Sequence, residues 1–147
     1  MLDVSKGVLA VFLAGEVIGH REAEVAAGLM ALAGHNWPVF LGFRGGRGIA
    51  TGAGALSVLS PIAAAVAFST FAATTLVSRY VSLGSIVGVI AACVTLVALY
   101  LLGQTFSVYT LYGFLGGAII IWQHRDNIQR IRDGSERRLG TPATKAN

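Results

Sequence analysis

Three short polar stretches of this 147-residue chain contain the residues whose types and spacing could do chemistry. The first, residues 34–51, places three glycines around Arg47 at the start of an apolar segment. Glycines let backbone N–H groups converge, the start of a helix carries partial positive charge, and arginine can bind a phosphate through two donors at once. The stretch is not a nucleotide-binding P-loop, because it lacks the pattern GxxxxGK[ST]. A loop at a membrane interface, with Arg47 as a basic anchor and Trp37 at the boundary, explains the same residues equally well.

The other two stretches combine hydroxyl, imidazole and amide groups. In the second, Ser82 and Ser85 stand three residues apart, so both hydroxyls can lie on one face near the start of a helix. Serine is also a preferred capping residue, and this simpler interpretation is favoured by the spacing alone. In the third, residues 124–136, His124 and Asn127 share a helical face; histidine titrates near neutral pH, and asparagine can orient a hydroxyl or a phosphate. A basic amphipathic helix that anchors to lipid headgroups explains that stretch as well.

The composition places these stretches in a membrane protein. Hydrophobic residues make up 54% of the chain and charged residues only 12%, whereas a soluble domain carries about 25% charged residues. Mean hydropathy is +0.69. The charges are also segregated, since residues 48–78 and 80–123 contain none. The single cysteine, Cys93, lies in an apolar run and is predicted to be a small packing residue, without a disulfide partner or a metal-binding role.

The apolar segments predict an all-α integral membrane fold with about six transmembrane helices, some of them short or hinged. One full crossing needs about 20 apolar residues; the candidate crossings are residues 2–18, 23–33, 49–59, 62–77, 83–102 and 108–122. Pro61 cannot continue a helix undisturbed and is predicted to divide residues 49–78 into two short crossings. This hinge puts all 11 Lys and Arg residues except Arg21 on one side, which is then the cytoplasmic side. All three polar stretches fall there, the first as a glycine-rich, re-entrant-like loop.

Taken together, the three stretches resemble the signatures of the PlsY family of acyltransferases. GHNWPVFLGFRGGRGIAT is similar to the family pattern GHxFPVFLxFKGGKGVAT, RYVSLGS to RYVSLxS, and HRDNIQRIRDGSE to HRxNIxRLxxGxE. The segment DVSKG at residues 3–7 fits the DxxKG that opens the second membrane helix of the family. Residues that depart from the first pattern are Trp37, Arg44, Arg47 and Ile49, in place of Phe, Lys, Lys and Val. The resemblance covers essentially the whole chain.

The resemblance implies a reaction and its partners. An acyl group would pass from acyl phosphate to the 1-hydroxyl of sn-glycerol 3-phosphate, giving lysophosphatidic acid for phospholipid synthesis, with no cofactor, no metal and no nucleic-acid partner. Acyl phosphate is already an activated mixed anhydride, so the protein mainly has to position both substrates and stabilise charge. The protein would be a multi-pass component of the plasma (inner) membrane whose polar motifs face the cytoplasm; its oligomeric state stays open.

The resemblance also implies roles for individual residues. His124 and Asn127 would be catalytic and orient the glycerol phosphate nucleophile, with the question of whether His124 acts as the base left open. Glu136 and Arg125 would support the third signature. Residues implied to bind substrate or phosphate are Gly45, Gly46, Arg47, Gly48, Thr51, Ser82, Ser85, His35 and Asn36.

One further signature of the family, an SGNIGATN-like loop, has no counterpart in the sequence. We therefore expect a chain that is truncated at its N-terminus, with residue 1 near the start of the family's second helix. A single membrane domain is predicted over residues 1–133, followed by a flexible polar tail over residues 134–147. The alternative function is a non-catalytic paralogue or partner subunit that binds phosphate or lipid. A transporter or channel is less well supported, because the helices offer mainly Ser, Thr and Glu16 as polar groups within the bilayer.

Overall fold

The structure is a computed structural model that describes residues 2–140, and within that range the chain forms helices and no strand. The predicted all-α membrane fold is confirmed. The helices are α1 (Leu2–Ile18), α2 (Arg21–Asn36), α3 (Ile49–Leu59), α4 (Pro61–Ser78), α5 (Val81–Leu101), α6 (Ser107–Gln123) and the short α7 (Arg125–Arg132). A 3₁₀ turn, Val39–Leu41, lies in the loop between α2 and α3 and leaves its apolar side chains exposed, which suits a membrane boundary.

The break between α3 and α4 lies where Pro61 predicts it. α4 (18 residues) and α5 (21 residues) have the length and hydropathy to cross a membrane, whereas α3 has only 11 residues and rises about 16 Å at 1.5 Å per residue. The Ser60 hydroxyl caps α4 by accepting a hydrogen bond from the amide of Ala63 at 3.3 Å, and Pro61 takes the first helical position, where its missing N–H costs nothing.

The second crossing is longer than predicted. The sequence predicts residues 23–33, but α2 runs from Arg21 to Asn36. Its extra turns consist of polar residues, including Glu22 and Glu24 in the first turn and His35 in the last. Acidic side chains are favourable at a helix start and a histidine at its end, so the helix continues past the apolar segment at both ends.

Small residues set the distances between the helices. A Cβ added to Gly84 would overlap the side-chain oxygen of Thr75 and lie 2.8 Å from the carbonyl oxygen of Phe71, which brings α5 against α4. Gly7 plays the same part between α1 and α3, where an added Cβ would overlap the carbonyl oxygen of Thr51. Close backbone approach of this kind is the usual basis of helix packing in lipid. The buried core then joins α1, α2, α3, α5 and α6 through Val11, Val25, Ala55, Leu96 and Tyr112.

The chain beyond α7 folds back over the junction between α4 and α5. The Leu139 amide donates to the carbonyl oxygen of Arg79 at 2.6 Å, and the Arg79 guanidinium donates to the carbonyl oxygen of Leu139 at 2.9 Å. Nearby, the Arg138 guanidinium donates to the Tyr80 hydroxyl at 3.0 Å. Residues 134–140 of the predicted flexible tail therefore pair with a distant turn in this structure, and the flexibility of the tail stays a prediction; residues 141–147 lie outside the described part of the chain.

One carboxylate ties this returning segment to α5 and α7. Glu136 accepts hydrogen bonds at Oε1 from the Ser82 hydroxyl and from Nδ2 of Asn127, both at 2.6 Å, and at Oε2 from Nε of Arg130 at 2.7 Å. Burial raises the pKa of the Glu136 carboxyl, but the three hydrogen bonds outweigh it and hold the pKa below its ordinary value. The charged form of Glu136 is therefore the form that stabilises this junction.

Replacing Glu136 with Gln should lower the thermal stability of the detergent-solubilised protein by several degrees at pH 7. Gln has nearly the same shape, but it removes the charge that three donors share, and a hydrogen bond to a charged group contributes about 1.5–3 kcal/mol. Because the folded pKa is depressed, the stabilisation is fully present above the unfolded value of about 4.3 and is lost as the pH falls through the folded pKa. The difference in melting temperature between the two proteins should shrink over the same interval.

The exposed carboxylate of Asp133, which contacts the Gln129 side chain within its own helix turn, offers a matched control. Asp133→Asn should leave the melting temperature almost unchanged. If the melting temperature of Glu136→Gln were lower by the same amount at neutral and at acid pH, the charge of Glu136 would contribute nothing to the junction.

Candidate functional site

The three polar stretches meet at one end of the helix bundle. A cavity of about 370 Å³ lies where α2 ends and α3 and α5 begin; its polar lining includes His35, Arg47, Ser82, Ser85 and His124. Arg47 and Ser82 also line a neighbouring cavity of about 430 Å³, which continues to Asn127, Arg130 and Glu136. Residues from all three stretches thus face a shared space, called the polar site below.

Gly45 and Gly46 do not offer their N–H groups to this space. The Gly45 amide donates to the carbonyl oxygen of Asn36 at 3.2 Å, and the Gly46 amide donates to the carbonyl oxygen of His35 at 3.3 Å. A Cβ at Gly45 would overlap that same His35 carbonyl oxygen. In this structure both glycines let the loop pack tightly against the end of α2, and their predicted role in cradling a phosphate stays a prediction.

The free N–H groups lie one step further along, at the start of α3. Gly48 is the residue before the helix and has φ of +79°, a left-handed conformation that favours glycine. A Cβ there would overlap Leu32 and lie 2.6 Å from Oδ1 of Asn36. No side chain caps this helix, and in the described part of the chain the amides of Ile49 and Ala50 donate to no backbone carbonyl. Uncapped amides and the helix dipole together attract an anion, and the exposed Arg47 stands beside them.

Two predicted binding residues, Asn36 and Thr51, lie beneath the start of α3 with their polar atoms unpaired. Asn36 is 1% exposed and Thr51 is 0% exposed. Neither the amide oxygen and nitrogen of Asn36 nor the hydroxyl of Thr51 has a hydrogen-bond partner among residues 2–140. Unpaired buried polar groups cost free energy and are uncommon in folded proteins. Asn36 lies against Gly48, and neither Asn36 nor Thr51 lines the two polar cavities.

The start of α1 also reaches the polar site, through residues that the sequence analysis did not assign to it. Nδ1 of His35 lies 3.5 Å from Oδ1 of Asp3, and Nζ of Lys6 donates to the same carboxylate oxygen at 2.9 Å. A Cβ at Gly46 would overlap Nε2 of His35, so the ring also lies tightly against the loop. Asp3 and Lys6 thus orient His35, and the DVSKG match was the signal that could have identified them.

His124 ends α6 and begins α7, outside the membrane-spanning helices, and is 1% exposed. Its Nδ1 lies 2.8 Å from the carbonyl oxygen of Ile120. A carbonyl oxygen can only accept, so Nδ1 carries the proton and Nε2 of the neutral ring has a free lone pair. Burial is the main reason that the pKa of His124 lies below its ordinary value, and the charge of Arg47 lowers it further; the hydrogen bond to Ile120 and the charge of Glu136 oppose them without outweighing them. The neutral ring is therefore the main form near pH 7.

The other side chains near His124 present mainly acceptors. Asn127 uses Nδ2 to bind Glu136, while its buried Oδ1 has no partner in residues 2–140. Ser82 donates its hydroxyl proton to Glu136, and Ser85 donates to the carbonyl oxygen of Val81 at 3.0 Å. The favoured capping interpretation of the serines is wrong, because the residue before α5 is Tyr80 and no side-chain capping bond forms.

Arg125 lies outside this set. It donates to the carbonyl oxygen of Trp122 at 3.1 Å and lies 5.2 Å from the centre of the Trp122 ring. It therefore supports the turn between α6 and α7 and lines neither of the two polar cavities.

The polar site consequently has two chemically different sides, with Arg130, Arg137 and Arg138 as further positive charge around Ser82 and Asn127. The start of α3 and Arg47 supply donors and positive charge, which suit an anion. Nε2 of His124, Oδ1 of Asn127 and the hydroxyl oxygens of Ser82 and Ser85 supply acceptors, which suit hydroxyl groups. Within residues 2–140 no group of three or more His, Cys, Asp or Glu side chains could hold a metal ion.

An apolar cavity of about 310 Å³ adjoins the polar site. It lies between α3, α4, α5 and α6, and the two spaces share Ile49, Phe71 and Ser85 as lining residues. A molecule with an anionic head and an apolar tail could therefore lie across both.

Comparison with known proteins identifies the family and the fold. The family model for glycerol-3-phosphate acyltransferase matches residues 1–134. Glycerol-3-phosphate acyltransferase 3 of Dehalococcoides mccartyi strain CBDB1 is 44% identical over 154 residues, with 97% of this chain and 71% of that protein covered. Glycerol-3-phosphate acyltransferase 2 of Moorella thermoacetica is 45% identical over 139 residues, with 95% of this chain and 69% of that protein covered.

Two crystal structures of PlsY, an integral membrane glycerol 3-phosphate acyltransferase, have the same fold. They are the glycerol 3-phosphate form and the lysophosphatidic acid form, each with a TM-score of 0.85 and 37% sequence identity. The comparison covers 95% of this chain and 68% and 70% of those chains, respectively. The family match, the relatives and the shared fold show that the chain belongs to the PlsY family of membrane glycerol-3-phosphate acyltransferases.

Proposed function

We propose that this chain transfers an acyl group from acyl phosphate to the 1-hydroxyl of sn-glycerol 3-phosphate and so forms lysophosphatidic acid in phospholipid synthesis. The observation that carries the proposal is the two-sided polar site, with donors on one side, acceptors on the other and an apolar cavity next to both. One substrate is a phosphate with hydroxyl groups, and the other is a phosphate with an acyl tail. The names of the relatives and of the solved PlsY forms support the same reaction class.

The donor side, formed by the start of α3 and Arg47, binds phosphate. The uncapped start of α3 directs N–H groups of Ile49 and Ala50 along the helix axis, and Arg47 adds a guanidinium that can bind two phosphate oxygens. Asn36 packs beneath Gly48 and supports the loop from which these donors extend. As the bond between the acyl carbon and the phosphate oxygen breaks, the leaving phosphate gains charge on this side, which these donors stabilise.

The acceptor side holds the nucleophile. The 1-hydroxyl of glycerol 3-phosphate donates its proton toward Nε2 of His124, while Oδ1 of Asn127 and the serine oxygens orient the remaining hydroxyl. The hydroxyl oxygen then forms a bond to the acyl carbon, and the bond from that carbon to the phosphate oxygen breaks. Phosphate leaves with the electron pair, and the proton held by His124 passes to it or to solvent.

We also propose that the protein lies in the plasma membrane and that its polar site is on the cytoplasmic side. The observation behind this is the charge distribution: Arg44, Arg47, Arg79 and the arginines of α7 lie at the end of the bundle that carries the polar site, and Arg21 lies at the other end. Loops rich in Lys and Arg stay on the cytoplasmic side during membrane insertion. Both water-soluble glycerol 3-phosphate and membrane-bound acyl phosphate can reach a site at that boundary.

The purified chain in detergent or nanodiscs should convert palmitoyl phosphate and radiolabelled glycerol 3-phosphate to lysophosphatidic acid, measured by thin-layer chromatography. Gly48→Ala should lower the rate by at least about 100-fold, because displacing catalytic or binding groups by about 1 Å has an effect of that size. The added Cβ meets Leu32 and Asn36 and strains a backbone with φ of +79°.

Gly34→Ala is the matched control, since an added Cβ there has no neighbour within 4 Å, and it should keep full activity. Circular dichroism and gel filtration establish that both variants are folded. A wild-type chain that binds glycerol 3-phosphate in calorimetry but forms no product would overturn the enzymatic proposal and favour a non-catalytic binding subunit.

The pH dependence of kcat/KM should report His124. Its lowered pKa keeps the ring neutral at pH 7, so activity should fall only as the pH drops below the ordinary histidine value of about 6.5. His124→Ala should lower kcat by about 100- to 10,000-fold, the usual range for a general base. Glycerol 3-phosphate also titrates in this pH range, and the change in activity that this causes should persist in the variant. The part of the loss of activity at low pH that is due to His124 should disappear.

His20, which precedes α2 at the opposite end of the bundle, provides the control for His124. His20→Ala should leave both kcat and the pH profile unchanged. If kcat/KM of the His124→Ala variant fell at the same pH and as steeply as that of the unaltered protein, His124 would not be the group that accepts the proton.

A further inference from the structure

The apolar cavity beside the polar site is also lined by Val4 of α1, and its depth can be followed on the other four helices around it. Near the polar site it is lined by Ile49, Phe71 and Ser85. Further from it, each helix contributes a residue about two turns deeper into the bundle; these are Leu56 on α3, Ala64 on α4, Cys93 on α5, and Tyr112 with Gly113 on α6. The cavity is therefore elongated along the helices, with one end at the polar site.

Its length corresponds to part of a fatty acyl chain. Ser85 and Cys93 are eight residues apart on α5, a rise of about 12 Å at 1.5 Å per residue. An extended hydrocarbon advances about 1.3 Å per carbon, given C–C bonds of about 1.52 Å, so this distance accommodates about nine carbons. Almost every lining side chain is apolar, and burying an apolar tail there is favourable.

The deep end is bordered by residues that pack closely against one another. The Cys93 thiol donates to the carbonyl oxygen of Gly113 at 3.0 Å, and a Cβ at Gly113 would lie 2.9 Å from Leu96. Tyr112 is fixed by its hydroxyl, which donates to the carbonyl oxygen of Gly52 at 2.9 Å. The end wall is therefore held in place, and a longer chain must bend or leave the cavity there.

We propose that Ala64 and Cys93, which both line this deep end, determine how long an acyl chain the protein accepts. The proposal rests on the proposed function, since it takes the acyl tail of acyl phosphate as the occupant of the cavity. Continuity between the apolar cavity and the polar site supports that occupant, because the tail is covalently joined to the phosphate that the polar site binds. The small side chains at both positions leave the space that the end of the tail fills.

Ala64→Leu should shorten the cavity and shift the preference toward shorter substrates. We expect the ratio of kcat/KM for palmitoyl phosphate to that for hexanoyl phosphate, whose tail ends short of Ala64 and Cys93, to fall at least tenfold, since even one methylene in an apolar pocket changes discrimination by about 10- to 200-fold. Ala65→Leu adds the same side chain to the neighbouring exposed position of α4, which does not line the cavity, and should leave the ratio unchanged. An unchanged ratio in a folded Ala64→Leu protein would overturn the proposal.

The single cysteine allows a second test in the unaltered chain that does not depend on turnover. Alkylation of Cys93 by N-ethylmaleimide is followed by mass spectrometry in the presence of lysophosphatidic acids of different chain length. Palmitoyl lysophosphatidic acid should slow alkylation at least about tenfold, and the hexanoyl form, whose tail ends short of Cys93, should not. Equal rates with both ligands would overturn the proposal even if the enzyme is active, whereas selective protection without any turnover would overturn the proposed function alone.

Discussion

The backbone break at Ser60 and Pro61 decides which residues of this chain can meet. α3 has only 11 residues, about half the rise needed to cross the apolar part of a bilayer, and the break returns the chain to the end of the bundle from which α3 started. Because of this return, the start of α5 and the turn between α6 and α7 lie at the same end as the glycine-rich loop. A continuous helix through this region would have placed Arg47 and His124 at opposite membrane faces.

Bringing these groups together creates a site whose polarity is built into the backbone as much as into the side chains. The start of α3 supplies amides that no side chain caps, and the end of α6 supplies the Ile120 carbonyl that fixes the tautomer of His124. Glu136 then occupies the donors of Ser82 and Asn127. Unpaired donors remain at the start of α3 and an unpaired acceptor remains at Asn127, so the site offers different partners to phosphate and to hydroxyl groups.

The sequence was sufficient for those features that depend on local physics. The crossings and the hinge were predicted from charge-free segments, one proline and the positions of the basic residues. This works because each crossing needs apolar residues of its own, whatever its neighbours are. The pairing of Gly45 and Gly46 with carbonyls of α2 could not be predicted, since residue spacing does not show which amides form hydrogen bonds within the fold. The role of Ser82 depends on Glu136, which is 54 residues away. The tail after α7 looked flexible because its composition is polar, whereas its partner is the carbonyl oxygen of Arg79 on a distant turn.

Arg47 and His124 are linked by more than a shared cavity. Burial is the largest cause of the lowered pKa of His124, and the positive charge of Arg47 lowers that pKa further; both favour the neutral ring but also make it a weaker base. In the proposed reaction a phosphate dianion bound at Arg47 offsets that charge, so the pKa of His124 rises when the anionic substrate is in place. The ring is then more basic only when a substrate is present to use it. A guanidinium, whose charge is fixed at any physiological pH, is well suited to this role, because the field felt by His124 changes with phosphate binding and not with the protonation of the arginine itself.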